Sequence, residues 1–402
     1  MRNRGIFRSA AVVWLAAMVL MAVFRDLIAN ERPLICRIEG QTYYPGLRNI
    51  WADPQQTFQH KTLENLRLHE SWHTHAYEFS LFAPIPFSPG VWNGSVPADR
   101  LPPGAPHPVG NTRFRHWLGT DAQGRDVAAG LVGGARLAIC TGLLASGISM
   151  LLGVVLGSIT GFWGDRRLRI SRAALVMVVI GLLLCVLYAL VWQYTVRMSG
   201  WGGTLVLVMV CATGIGGAAL WKRVSAWAAY AVPFPVDLLI MRCAEILDAV
   251  PRIVAIVALA ALLPGQTIWA LIALIGCISW TAPAQLLRAE LLKIRDLEYV
   301  QAAETAGIKP VRILWRHALP NALQSLVVMA VFSIAGAILL EASLSFLGFG
   351  GEQFKGVSWG SLLSIARKNP ADWWVAVFPG LMIGFTLLSL YKIGLQREAQ
   401  LI

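Results

Sequence analysis

The sequence predicts an all-α, polytopic membrane protein, and three observations carry that reading. Of 402 residues, 56% are hydrophobic and only 14% are charged, against roughly 25% charged in a soluble globular domain. Apolar runs approaching the length a bilayer demands, about 20 residues, recur along the chain. The formal net charge of +12 sits in short segments between those runs, where cytoplasmic loops concentrate Lys and Arg. No basic, aromatic-interleaved module is visible, so the charge does not point to nucleic acid.

The elements follow in order. Residues 1–25 form an N-terminal tail and first transmembrane helix, with the apolar run Ser9 to Phe24 preceded by Arg2, Arg4 and Arg8. This resembles a signal peptide, but no small-x-small site is followed by an obvious mature domain, and more spans follow, so an anchor is expected. Residues 26–136 form an extracytoplasmic region rich in Pro, Trp and His, and 137–402 the transmembrane core. The core spans read as Leu137–Phe162, Ala173–Trp192, Gly203–Trp221, Cys243–Leu263, Thr267–Pro283, Ala322–Glu341 and Trp374–Tyr391. That makes about eight spans in all.

Charge sets the orientation. The segments Arg166–Arg172, Lys222–Arg242 and Arg288–Arg316, with the tail around Lys392 and Arg397, are richer in Lys and Arg than the alternate short ones, which offer Arg197, Lys355, Arg367 and Lys368. The long Arg25–Arg136 region is exempt, because long loops cross largely regardless of charge. The positive-inside rule then places both termini in the cytoplasm. Five of the six cysteines lie in or beside apolar runs at spacings unlike any metal motif, and Cys36 stands alone in the long polar region. They read as small apolar residues.

One polar stretch, "YVQAAETAGIKPVRILWRHALPN" (Tyr299–Asn321), interrupts the apolar pattern. It lies in the longest cytoplasmic loop, 288–321. Leu286–Ala306 is expected as a helix leaving the membrane, ended by Gly307 at its C-cap. Pro310 suits the first turn of a second, short helix. Ala302 and Ala303 keep the first helix slim, so another backbone can approach. A short amphipathic helix of this kind fits a groove in a partner protein; it equally fits the lipid headgroups.

The stretch resembles the cytoplasmic coupling loop of ABC importer permeases: Gln301, Ala302, Ala303, Gly307, His317, Leu319 and Pro320 fall at the motif positions, with Arg312 between them. Gln301 stands where the pattern has Glu, and His317 where it has Ile; the oligopeptide/dipeptide branch commonly ends the motif in His-x-Leu-Pro-Asn, as here. A second stretch, His116–Ile139, is similar to the signature before the second core helix of that branch, through Gly119, Thr120, Asp121, Gly124, Arg125 and Asp126. Read from its residues, it is a hydrogen-bonded turn with Arg125 placed to pair locally, expected at the periplasmic rim. A third match is "LLEASLSFLGFG" (Leu339–Gly350), followed by "SWGSLL". Its Glu341 is costly in lipid and must face protein or water, either lining the pathway or pinning two helices. Leu27–Leu47 resembles the corresponding segment of Yej-type permeases of peptide and microcin C importers.

The resemblance implies a six-helix ABC importer permease core in a bacterial inner membrane. Its expected partners are a second homologous permease, cytosolic ATPase subunits that bind ATP and Mg, a periplasmic peptide-binding protein and membrane lipid. The chain departs from the family at about 173–221, which reads as an inserted two-helix hairpin. Within it, "GIGGAA" (Gly214–Ala219) loosely matches a dinucleotide fingerprint, but in the wrong context, and small-residue helix packing is the better reading.

No Gly-x4-Gly-Lys-Ser/Thr stretch is visible, so ATP hydrolysis is expected on partner chains and not here; no catalytic residue, cofactor or metal is assigned to this chain. Two other function classes remain open. An ion-coupled secondary transporter would use ionisable residues such as Glu245 and Asp248 near Pro251. A membrane-anchored zinc peptidase would rest on His69, Glu70 and His73, which meet the minimal His-Glu-x-x-His pattern without a third ligand.

Overall fold

The computed structural model describes residues 2–48, 66, 72–73, 75–90, 100–107, 114–164, 169–171, 231–233, 235–262, 267–349 and 357–401. The expected hairpin at 173–221, His69 and Glu70 lie outside them. The described helices are α1 (Arg2–Val23), α2 (Arg25–Ile28), α3 (Pro45–Arg48), α4 (Val127–Ser158), α5 (Val236–Ala249), α6 (Arg252–Leu262), α7 (Ile268–Ile278), α8 (Thr281–Arg295), α9 (Glu298–Thr305), α10 (Pro310–Ile313), α11 (Leu319–Phe346), α12 (Trp359–Lys368) and α13 (Trp373–Leu401). A π turn, Ile159–Trp163, extends α4, and another, Leu314–Ala318, joins α10 to α11.

Among the described residues, four helical stretches are long and apolar enough to cross a membrane: Val127–Trp163, Ile268–Arg295, Pro310–Phe346 and Trp373–Ala399. These answer to four of the expected spans. The first expected span appears as the shorter apolar stretch Ala10–Val23 of α1. The span expected at Cys243–Leu263 is not one helix, because α5 ends at Ala249 and α6 begins at Arg252. Val250 between them is extended, with ψ 130°, as Pro251 requires of the residue before it.

The core lies where α4 crosses its neighbours. Val127, Leu131 and Ala135 of α4 pack with Ile338 and Ala342 of α11, Trp359 and Leu362 of α12, and Trp374 and Val375 of α13, with Met18 of α1 joining them. Trp14 Nε1 of α1 donates to Thr386 Oγ1 of α13 at 3.2 Å. Small residues let the helices approach this closely. A Cβ on Gly153 would meet Pro283 at 2.5 Å, and one on Gly157 the Ala284 carbonyl at 2.7 Å.

The polar region before α4 holds a three-stranded antiparallel sheet in the order β2-β1-β3, from β1 (Ile35–Ile38), β2 (Gln41–Tyr43) and β3 (Phe79–Leu81). Cys36 is fully buried there with Ile38, Leu66 and Trp72. Burial pushes its thiol up to about 11, so it packs as an apolar group. A second pair, β4 (Ala105–Pro106) with β5 (Arg115–His116), leads into the turn before α4. A third pair joins β6 (Arg169–Ser171) to β7 (Ala231–Pro233).

Candidate functional site

The signature turn is a closed hydrogen-bonded unit. Asp121 is fully buried; its Oδ1 accepts from the backbone N–H groups of Gln123 and Arg125, both at 2.9 Å. Its Oδ2 accepts from Arg125 Nε at 2.8 Å, so the local pairing read from the sequence is present. Asp126 caps α4, accepting from Ala129 N at 2.7 Å. Gly119 and Gly124 take φ of 79° and 74°, conformations that favour glycine. A Cβ on Gly119 would also meet the Leu101 carbonyl at 2.7 Å and the Trp374 indole at 2.8 Å.

The fold brings the third motif to this turn. Trp374 Nε1 donates to the Thr120 carbonyl at 3.0 Å, and Trp359 Nε1 to the Leu131 carbonyl at 3.0 Å. Gly134 lies directly under the Trp359 ring, which leaves no room for a side chain. Ser358 closes a capping box with Ser361 at the start of α12. Glu341 is buried at the same end of the bundle, its Oε1 accepting from Ser345 Oγ at 2.8 Å, with the Ser358 side chain close by. Ser345 lies one turn on along the same helix, α11, and Ser358 caps the start of α12.

Three histidines gather beside the turn, and only His116 belongs to the signature stretch itself. His116 Nδ1 lies 2.8 Å from Asp126 Oδ2, and His107 Nδ1 lies 3.1 Å from His116 Nε2. His73 Nε2 lies 2.6 Å from the Pro86 carbonyl, a position that requires its N–H. Phe82, Phe87 and Phe114 surround the rings. Burial, then His116 and His73, push His107 down to about 4. One signal of this cluster was visible in the chain, His116 and Asp126 facing each other across a short turn; His73 and His107 come from remote segments. Among the described residues no group of three His, Cys, Asp or Glu side chains could hold a metal.

The polar stretch lies at the opposite end of α4. α8 stops at Arg295, Asp296 and Leu297 break the helix, and α9 begins at Glu298, so the expected continuous helix Leu286–Ala306 is two pieces. Gly307, with φ 76°, follows the Ala306 cap as expected. The second helix is not separate. From Pro310 it runs through the π turn directly into α11, reaching Phe346. Pro320 has no N–H to give, and the wider turn before it absorbs that lost bond.

Ile313, Leu314, Ala318 and Leu319 are buried against Phe162 at the end of α4, Leu287 and Leu291 of α8, and Val300 of α9. The other face of the same turn is open: Val311 is 54% exposed and Trp315 65%, with Arg312, Arg316 and His317 also exposed beside them. Gln301 is exposed, its amide reaching the Asp296 carbonyl at 3.2 Å, and Ala302 is exposed while Ala303 is half-buried. Asn321 Nδ2 donates to Tyr299 Oη at 3.0 Å, closing the loop. On the same side Arg288 of α8 forms a two-bond ion pair with Asp237 of α5.

Between the two ends, a cavity of about 250 Å³ opens among α4, α6, α8, α11 and α13, with Ser146, Ser149, Ser279, Ser333, Arg252 and Tyr391 in its lining. Nothing in the sequence singled it out.

Comparison with known proteins points to transport permeases. Residues 223–395 match the family described as binding-protein-dependent transport system inner membrane component. The chain is 25% identical over 385 residues to the inner membrane ABC transporter permease protein YejE of Escherichia coli (strain K12), covering 93% of this chain and 86% of that one. It is 37% identical over 204 residues to a protein of Brucella suis biovar 1 (strain 1330) named "Putative peptide transport system permease protein", covering 50% of this chain and 64% of that one. Over its C-terminal part, residues 223–395, the chain thus resembles a binding-protein-dependent transport system inner membrane component.

Proposed function

We propose that the chain is the transmembrane permease subunit of an ATP-driven ABC importer for peptides, including peptide antibiotics such as microcin C, in a bacterial inner membrane. The observation that carries this reading is the exposed Val311–Trp315 face on a helix continuous with the membrane span Pro310–Phe346. A push on that face is delivered to a rigid rod, because Ile313, Leu314 and Ala318 lock it to α4 and α8. Cytosolic ATPase subunits binding ATP and Mg would grip Gln301, Ala302, Ala303, Gly307, Arg312, His317, Leu319 and Pro320. Their closure would then tilt α11 and α8 together. The loop transmits force and does no chemistry.

On this reading both termini are cytoplasmic. The turn Gly119–Asp126 would then stand at the periplasmic rim, close to where a peptide-binding protein would dock. A second, homologous permease would face the cavity at Arg252 and complete the path. The hairpin at 173–221 would pack at the periphery, so transport should survive its removal.

Co-purification of the tagged chain from its native membrane in mild detergent tests this reading. A second permease and one or two ATPases should come with it, and the reconstituted complex should take up a peptide only with ATP. A chain that transports alone, driven by an ion gradient, would overturn the assignment in favour of a secondary transporter.

A further inference from the structure

The cavity between the two ends of the bundle has one cation among its described lining residues, Arg252 at the start of α6. The Arg252 side chain is 43% exposed, so the guanidinium is accessible to a ligand. Among the described residues the carboxylate within 4 Å of it is Asp248, but that group is held by others: its Oδ1 accepts from Thr281 Oγ1 at 2.8 Å and its Oδ2 from Gln285 Nε2 at 3.1 Å. Arg252 Nη2 stands 3.8 Å from Asp248 Oδ1, beyond hydrogen-bonding reach. Asp248 therefore balances the charge without occupying the guanidinium fork.

The rest of the wall suits a polar, extended ligand. Ser146, Ser149, Ser279 and Ser333 bring hydroxyls from α4, the α7–α8 junction and α11. Ser149 Oγ donates to the Ser279 carbonyl at 2.8 Å, which leaves its lone pairs as acceptors. On the same wall Gly336 has nothing within 4 Å of where a Cβ would stand, so a strip of α11 backbone lies bare to the cavity.

Resting on the peptide-import reading, we propose that Arg252 is a specificity-determining residue that binds the C-terminal carboxylate of the transported peptide, with the serine hydroxyls bonding the peptide backbone beside it. A planar guanidinium takes a carboxylate through two parallel bonds. An amidated terminus offers neither the charge nor the second acceptor.

The test uses the full complex of this chain with its co-purified permease and ATPases in proteoliposomes. ATP-driven uptake of a short peptide is compared with that of the same peptide amidated at its C-terminus. The wild-type complex should favour the free acid by about tenfold. Arg252→Gln should lose that preference by slowing the acid alone, and Arg252→Lys should keep part of it. Gly336→Leu, which fills the cavity without touching the charge, should slow both peptides. An acid-to-amide ratio that Arg252→Gln leaves unchanged, in a complex that assembles normally, overturns the proposal. So does an Arg252→Gln effect seen only in vesicles containing phosphatidylglycerol and not in phosphatidylcholine, since the guanidinium would then be holding a lipid phosphate. Wild-type uptake of both peptides at equal rates sinks the proposal and leaves peptide import standing, whereas uptake of neither sinks both.

Discussion

His116 joins two parts of the molecule, with its Nδ1 2.8 Å from the Asp126 carboxylate that caps α4 and its Nε2 3.1 Å from His107. Asp126 accepts at both oxygens, from Ala129 N–H and from the imidazole. The neutral tautomer that fits carries its proton on Nδ1, leaving Nε2 to accept from His107. The polar region before α4 is therefore bonded to the first turn of a membrane helix through two buried rings.

This arrangement predicts acid sensitivity. His107 is pushed from 6.5 down to about 4, mainly by burial. Between those values the unfolded chain binds a proton that the folded cluster refuses, so stability is complete above pH 6.5 and falls as the pH drops toward 4. By pH 5 the loss is on the order of 2 kcal/mol. Thermal unfolding in detergent at pH 7.5, 6 and 5 should show the midpoint dropping, and His107→Gln should flatten that slope. Equal slopes for the two proteins would count against the account.

A crowding argument applies at Gly134. Any side chain there collides with Trp359, whose indole is held by the Leu131 carbonyl. Gly134→Leu should destabilise the fold by at least about 1–3 kcal/mol, the usual cost of overpacking. Trp359→Ala in the same chain should recover part of it. The unfolding midpoints of the single and double variants decide the matter.

The exposed face of the loop separates force transfer from folding. Val311 and Trp315 are exposed, whereas Ile313 and Leu314 are buried. Trp315→Ala combined with Val311→Ala should leave the unfolding midpoint within about a degree or two, because surface changes usually cost under about 0.5 kcal/mol. ATPase subunits recovered by co-purification should fall several-fold. Gly307→Pro, at φ 76°, requires a backbone conformation proline does not adopt and should abolish ATP-driven uptake.

Glu341 can be tested as a helix pin. Glu341→Gln keeps an acceptor for Ser345 and should retain assembly and uptake. Glu341→Leu leaves Ser345 without that acceptor, a loss of about 1–3 kcal/mol for a buried polar group. If Glu341→Leu left stability unchanged yet altered which peptides enter, the side chain would belong to the pathway instead.

Much of this site was legible in the chain, for reasons that can be named. Asp121 and Arg125 pair across a short turn, and such local partners follow from spacing alone. Gly307 takes the C-terminal position its chemistry suits. The break between α8 and α9 was not visible, because "IRDLEY" carries neither Gly nor Pro and reads as helix. The break at Pro251 did carry a signal, yet apolar residues on both sides made one span of it. Pro320, read as the return point of a separate helix, lies instead inside a continuous one, because a single π turn accommodates it.

Composition, apolar run length and the placement of Lys and Arg determined that this is a helical membrane protein, and three short motifs indicated its kind. Each of these reports a local or additive quantity: transfer energy, helix termination, a turn geometry. Tertiary structure alone decided that Trp359 would cover Gly134, that His73 and His107 would gather around the His116–Asp126 pair, and that Arg252 would face a cavity with the neighbouring Asp248 already engaged. Those relations join residues tens to hundreds of positions apart. No periodicity encodes them, because they depend on how closely glycine- and serine-lined helices pack once they meet.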